Sequence, residues 1–150
     1  VELVADGVHL ADDTVATVFD LVGPGRIALV TDAMAAAGMP DGDYSLGSMP
    51  VAVRAGVARL RTPDGIGAIA GGTAHMIDLV RRAVQRAGVD LGAAVTAASA
   101  TPAALLGLAH EVGDLRPGLR ADVLVTDPDL DPVAVLAAGA WVPRPTLVHA

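Results

Sequence analysis

The feature that most constrains this chain is the run Arg26-Ile27-Ala28-Leu29-Val30-Thr31-Asp32, an unbroken apolar stretch that ends on a carboxylate. Continuous rather than alternating apolar character marks a strand covered on both faces, and such strands belong to parallel sheets flanked by helices. The residues before it agree. Val1 to Ala5 reads as another buried strand and Asp6-Gly7-Val8-His9 as a turn. Val15, Val18, Phe19 and Val22 then fall at helical spacing behind a cap at Asp12 or Asp13, and Gly23-Pro24 stops that helix. Strand, helix and strand in this order predict a parallel α/β unit.

Downstream, residues 33 to 50 read as loop, because Gly38, Pro40, Gly42, Gly47 and Pro50 punctuate them. Two strands at 51–54 and 57–61, hinged at Ala55-Gly56, predict a hairpin. The glycine-rich run 65–72 leads into a helix from Thr73 that ends at Gly88, with Met76, Leu79, Val80, Ala83, Val84 and Ala87 on one face. Another helix follows Asp90, and a third starts at Thr101 with Pro102 in its first position. From Gly113 the character changes to turns and short strands, at 121–126, 133–137 and 141–142. The expected organisation is an α/β body over 1–112 with β structure appended over 113–150. Val1 has no preceding turn or cap, so the chain reads as beginning mid-domain, either as a trimmed piece or as the C-terminal part of something larger, with a natural start as the remaining alternative.

Composition excludes several functions. Ten basic residues, all arginine, face 17 acidic ones for a net charge of −7, and Phe19, Tyr44 and Trp141 are the aromatics. A nucleic-acid partner would need a cationic surface or stacking platforms, so none is expected. The absence of cysteine removes disulfides, thiolate metal sites and thiol nucleophiles, and fits a cytoplasmic protein. Residues 91 to 109 carry no charge, but alanine dominates them, Thr96, Ser99, Thr101 and Pro102 interrupt them, and no basic flank marks an inside end; no membrane span is expected. No signal-peptide pattern opens the chain.

Asp32 is the most informative position for chemistry. A carboxylate at the C-terminal end of a buried parallel strand stands where α/β folds place their ligands, although such a residue can also merely cap a turn. His9 lies just past the preceding strand and so opens onto the same edge. His75, in the first turn of its helix, either faces solvent or favours an anion, while His110 and His149 receive no role. The four histidines lie far apart, with no His-x-His and no His-Glu-x-x-His, so no complete metal site is expected within this chain. The glycines of 65–72 could cradle phosphate or sugar oxygens at a helix start, or could form a flexible connector. Their spacing matches neither of the common nucleotide-binding patterns, and no lysine follows them. Ser45, Ser48 and Ser99 lie outside any Gly-x-Ser-x-Gly setting, which removes serine-hydrolase chemistry.

Four segments taken together, Ala5-Asp6-Gly7-Val8-His9, Leu29-Val30-Thr31-Asp32-Ala33-Met34, Asp41-Gly42-Asp43-Tyr44-Ser45-Leu46-Gly47 and Ile69-Ala70-Gly71-Gly72-Thr73, resemble the N-acetylglucosamine-6-phosphate deacetylases. The segments Ala98-Ser99-Ala100-Thr101-Pro102-Ala103, Gly113-Asp114-Leu115-Arg116-Pro117-Gly118 and Ala121-Asp122 resemble an ending shared across the amidohydrolase superfamily. The resemblance runs nearly end to end, yet family members are more than twice as long. It implies an α/β fold, the C-terminal part of a metal-dependent TIM barrel, with a hairpin insertion at 49–62 and a segment of a small β-sandwich at 113–150.

By the same resemblance, Asp32 would be the catalytic general base and acid. A divalent ion, zinc or iron, with its ligands mostly outside this chain, would activate water; Asp32 would take the proton and hand it to the departing amine. The products would be acetate and glucosamine 6-phosphate. His9 would contact the sugar phosphate, as would the loop Ile69, Ala70, Gly71 and Gly72. Many relatives carry Ser where this chain has Gly72, so a backbone contact is expected there. Family enzymes are commonly dimers, and the 150-residue chain alone is expected to be inactive. Two other readings remain open: another amidohydrolase acting on cyclic amides, such as a dihydroorotase-like enzyme, or a non-catalytic module that binds a partner through its alanine-rich helices.

Overall fold

A computed structural model describes residues 1–143. The parallel unit is present. Strand β1 (Glu2–Leu3) pairs in parallel with β2 (Ala28–Leu29), and helix α1 (Asp12–Val22) crosses between them. Both strands are shorter than the apolar runs that announced them. The ladder continues past β2 through the Val30 N–H, which donates to the Leu3 carbonyl at 3.1 Å. Ile27, Ala28 and Leu29 are all buried in succession, as a strand covered on both faces requires.

On the face of Ile27 and Leu29 the cover comes from helices. Val15 and Phe19 of α1 pack with Leu79, Val80 and Ala83 of α2 (Met76–Gln85) and with Ala94 and Ala97 of α3 (Leu91–Ala98), around Leu3, Ala5, Ile27 and Leu29. The helical faces read from spacing are the buried ones. Their starts differ from expectation. Ala11, not Asp12 or Asp13, is the cap residue of α1, and Asp12 turns instead to Arg82 of α2. Helix α2 begins at Met76 rather than Thr73, with His75 as its cap residue, whose N–H donates to the Asp78 carboxylate at 2.9 Å. Helix α3 follows Asp90 as expected, and Asp90 caps it, accepting from the Ala93 N–H at 3.0 Å. Helix α4 (Ala100–Leu105) starts one residue before Thr101, so Pro102 stands in its third position.

The largest difference lies between 33 and 72. The expected hairpin is present as β4 (Met49–Arg54) and β5 (Val57–Thr62), but it is the centre of a four-stranded antiparallel sheet. Residues read as loop form β3 (Gly42–Leu46), and most of the glycine-rich run forms β6 (Gly65–Ile69), so that run is neither a flexible connector nor a helix start. Val51, Val53 and Ala58 bury a second, smaller core with Met34, Ala36 and Ala70.

The C-terminal strands β7 (Val123–Thr126), β8 (Pro132–Ala137) and β9 (Ala140–Trp141) form a separate antiparallel sheet, close to the strands expected there. His149 and the end of the expected 113–150 segment lie outside the described residues. The uncharged stretch 91–109 is broken into α3 and α4 at Ser99, and among the described residues no helix is long and apolar enough to cross a membrane.

Candidate functional site

The site begins with a turn. Past β1 the chain must reverse toward α1, and Asp6 organises that reversal with a single carboxylate. One oxygen, Oδ1, accepts the N–H groups of Val8 and His9, each at 2.9 Å. This is the local hydrogen bonding that makes aspartate a turn residue. The other oxygen, Oδ2, lies 2.8 Å from the His9 ring atom Nδ1. Only 5% of the Asp6 side chain is exposed. Burial, the largest influence, pushes its carboxyl up, but the N–H donors of His9 and Val8 together with the imidazole outweigh it and hold the group below the usual carboxylate value.

Gly7 in this turn has a φ of +78°, and a Cβ there would collide with the Arg82 guanidinium. Glycine is therefore required for two reasons: the left-handed backbone and the cation beneath it. Arg82 is itself fixed by a two-pronged pair with Asp12, Nε to Oδ1 at 2.6 Å and Nη2 to Oδ2 at 3.1 Å. The missing cap at Asp12 thus has an explanation, since its carboxylate holds the floor of the turn.

Asp32 stands beyond the end of β2 with a φ of +49°, a left-handed conformation that aspartate tolerates better than most residues and that recurs at functional sites. Its carboxylate is 58% exposed, and Oδ2 lies 3.5 Å from His9 Nε2. That is a close approach rather than a good hydrogen bond. Catalytic contacts are often this long until a ligand arrives.

The backbone of Asp32 meets the third segment. Its carbonyl accepts the Gly72 N–H at 2.6 Å, the Gly72 carbonyl accepts the Met34 N–H at 3.0 Å, and Ala33 and Gly72 form a parallel bridge. A Cβ at position 72 would overlap the Thr31 carbonyl oxygen, so a serine side chain has no room there in this backbone arrangement. Gly71, with a φ of +83°, lies beside the Asp32 carbonyl and Met34.

The structure therefore brings His9, Asp32, Gly71 and Gly72 together at the C-terminal edge of the parallel strands. Ile69 ends β6, and Ala70 is buried in the second core, where its N–H donates to the Ala58 carbonyl at 2.9 Å. Only the backbone of Ala70 is left to meet a ligand. His75 is exposed as the α2 cap residue, with its ring against Gly38, and His110 pairs with Glu111 at 3.4 Å. Asp6 is the participant that motif reading missed; its signal was an Asp three residues before a His, across a glycine.

Among the described residues no three His, Asp or Glu side chains converge as a metal site. Both Asp6 oxygens already face donors, which leaves Asp32 and His9 too few to enclose a divalent ion. The described residues alone do not fit one.

A family model described as the amidohydrolase family matches residues 1–147. A putative N-acetylgalactosamine-6-phosphate deacetylase of Escherichia coli strain K12 is 40% identical over 129 residues, which cover 86% of this chain and 74% of that protein. The N-acetylglucosamine-6-phosphate deacetylase of Vibrio furnissii is 35% identical over 129 residues, covering 86% of this chain and 31% of that protein. Among solved structures, a mutant N-acetyl-D-glucosamine-6-phosphate deacetylase from Mycobacterium smegmatis in complex with N-acetyl-D-glucosamine-6-phosphate is 44% identical, with a TM-score of 0.84 over 93% of this chain and 36% of that chain. The Thermotoga maritima deacetylase is 35% identical, again with a TM-score of 0.84, over 95% of this chain and 38% of that one. The chain spans about a third of the length of these two solved structures and of the Vibrio protein.

Proposed function

Because the chain belongs to the amidohydrolase family and has the α/β fold of part of that family's TIM barrel, we propose that it carries the proton-transfer and substrate-contacting portion of a deacetylase. The substrate is N-acetylglucosamine 6-phosphate, and the products are acetate and glucosamine 6-phosphate. The observation that carries this reading is the approach of His9 Nε2 to Asp32 Oδ2, 3.5 Å, at the open end of the parallel strands.

Hydrolysis of an acetamide needs a group that accepts a proton from the attacking water and returns one to the amine nitrogen as the C–N bond breaks. Asp32 has the exposure and the chemistry for both transfers. His9 contacts the sugar phosphate, and the backbone of 69–72 borders it. A divalent ion, zinc or iron, belongs to this reading with its ligands mostly outside the 150 residues. Residues 1–112 are the barrel part and 113–150 the sandwich part, in a cytoplasmic enzyme that forms a homodimer.

The test compares the 150-residue chain with the longest polypeptide that contains it, each supplied with zinc or iron and N-acetylglucosamine 6-phosphate. Turnover is expected from the longer polypeptide and not from the chain alone. In the active form Asp32→Asn lowers kcat by about 10²–10⁴-fold while substrate still binds, the loss typical of a removed general base. His9→Gln raises KM with a smaller change in kcat. A near-normal kcat for Asp32→Asn removes it from the chemistry. Faster hydrolysis of the galactosamine epimer, the substrate in the name of the E. coli relative, would change the sugar and keep the mechanism.

A further inference from the structure

We propose that Asp6 is a positioning residue that fixes the tautomer of His9, keeping the proton on Nδ1 and leaving Nε2 as the one ring nitrogen that changes its state toward Asp32 and the ligand. The proposal rests on reading His9 as the substrate-contacting side chain, and it adds which nitrogen does the contacting and in what form.

The argument follows from the division of labour within one carboxylate. Asp6 Oδ1 is committed to two backbone donors, Val8 and His9 N–H, and Oδ2 alone meets the ring, at 2.8 Å. An ionised carboxylate only accepts hydrogen bonds, so Nδ1 must donate. The group is held ionised, because its donors keep its carboxyl below the usual value despite burial. Nδ1 therefore carries hydrogen whether the ring is neutral or charged, and only Nε2 alternates between a lone pair and an N–H. A neutral His9 then accepts from a sugar hydroxyl or a water, whereas a protonated one donates to a phosphate oxygen. Orientation of a working histidine by a hydrogen bond to its far nitrogen is a general device. Here the turn that supplies it is itself braced by the Arg82–Asp12 pair beneath Gly7.

The substitution Asp6→Asn separates this role from simple support of the turn. Its amide oxygen can keep both backbone donors, which places the NH₂ group opposite Nδ1, so that Nδ1 must become the acceptor and the hydrogen moves to Nε2. Long-range ¹H–¹⁵N NMR of the histidine-labelled chain, without substrate, reads this directly. The wild type is expected to show Nδ1–H as the major neutral tautomer of His9, and Asp6→Asn to show the major tautomer inverted to Nε2–H. Predominant Nε2–H in the wild type, or Nδ1–H retained in a folded Asp6→Asn protein, overturns the proposal. If Asp6→Asn does not fold, the wild-type tautomer decides alone. Because the readout needs no turnover, failure of the deacetylase assay and failure of this inference are distinct results.

Discussion

The parallel unit and the C-terminal sheet solve the same problem, apolar strands, in opposite ways. Around β2, helices α1, α2 and α3 cover the face that carries Ile27 and Leu29, so Leu29 is 2% exposed, and the Asp6–His9–Asp32 cluster lies past the strand ends. In β7–β9, Leu124 is 45% exposed, and its cross-strand neighbour Val135 and the terminal-strand Trp141 are exposed as well. That sheet is held to the body mainly by polar contacts. Arg81 of α2 reaches the Asp131 carboxylate at 2.7 Å and the Leu130 carbonyl at 2.9 Å, Gln85 reaches the Asp129 carbonyl at 3.1 Å, and Leu130 packs on the core. Among the described residues, burial, and with it the stiffness that positions a site, is confined to the stretch from Leu3 to Ala103.

The sharpest way to break this contrast is a pair of truncations. Leu29→Ala is expected to cost about 2–5 kcal/mol, the range for a buried leucine, whereas Leu124→Ala should cost under about 1 kcal/mol because its surface is already wet. Equal losses in denaturant unfolding would show that the two regions are equally packed. A smaller effect is expected at the junction of the parallel strands with the four-stranded sheet. Gly72→Ala forces a Cβ against the Thr31 carbonyl and should destabilise by about 1–3 kcal/mol, read as a lowered midpoint in the same measurement.

The smallest effect is a pH dependence. The folded state holds the Asp6 carboxyl below its unfolded value, so the stability it contributes is complete above about pH 4, the unfolded range, and is lost as pH falls through the lower folded value. Acid titration of Asp6→Asn should lack that component. An unchanged acid limb would mean that the turn is not an acid-sensitive point.

What could be read from the chain follows the same divide. Helix faces were legible because burial selects one side, as at Leu79, Val80 and Ala83, and β2 because burial selects every residue. The edge strands β3 and β6 were hidden. Glycine at 42, 65 and 67 erases the alternation that reveals a strand, and most of their side chains remain exposed or half-buried, so no apolar stripe marks them. The cap of α1 was misplaced because Asp12 answers to Arg82, far along the chain, and local rules do not see such partners. At the site, strand-end logic pointed to Asp32 and His9. Asp6 escaped because its work is done through another side chain.

The hydrogen bond from Gly72 to the Asp32 carbonyl ties the loop proposed to grip the sugar to the residue proposed to shuttle the proton. Affinity and turnover are then not independently adjustable in such an enzyme. In the proposed enzyme, a change that loosens the grip at this peptide is expected to disturb the aim of the acid–base group as well.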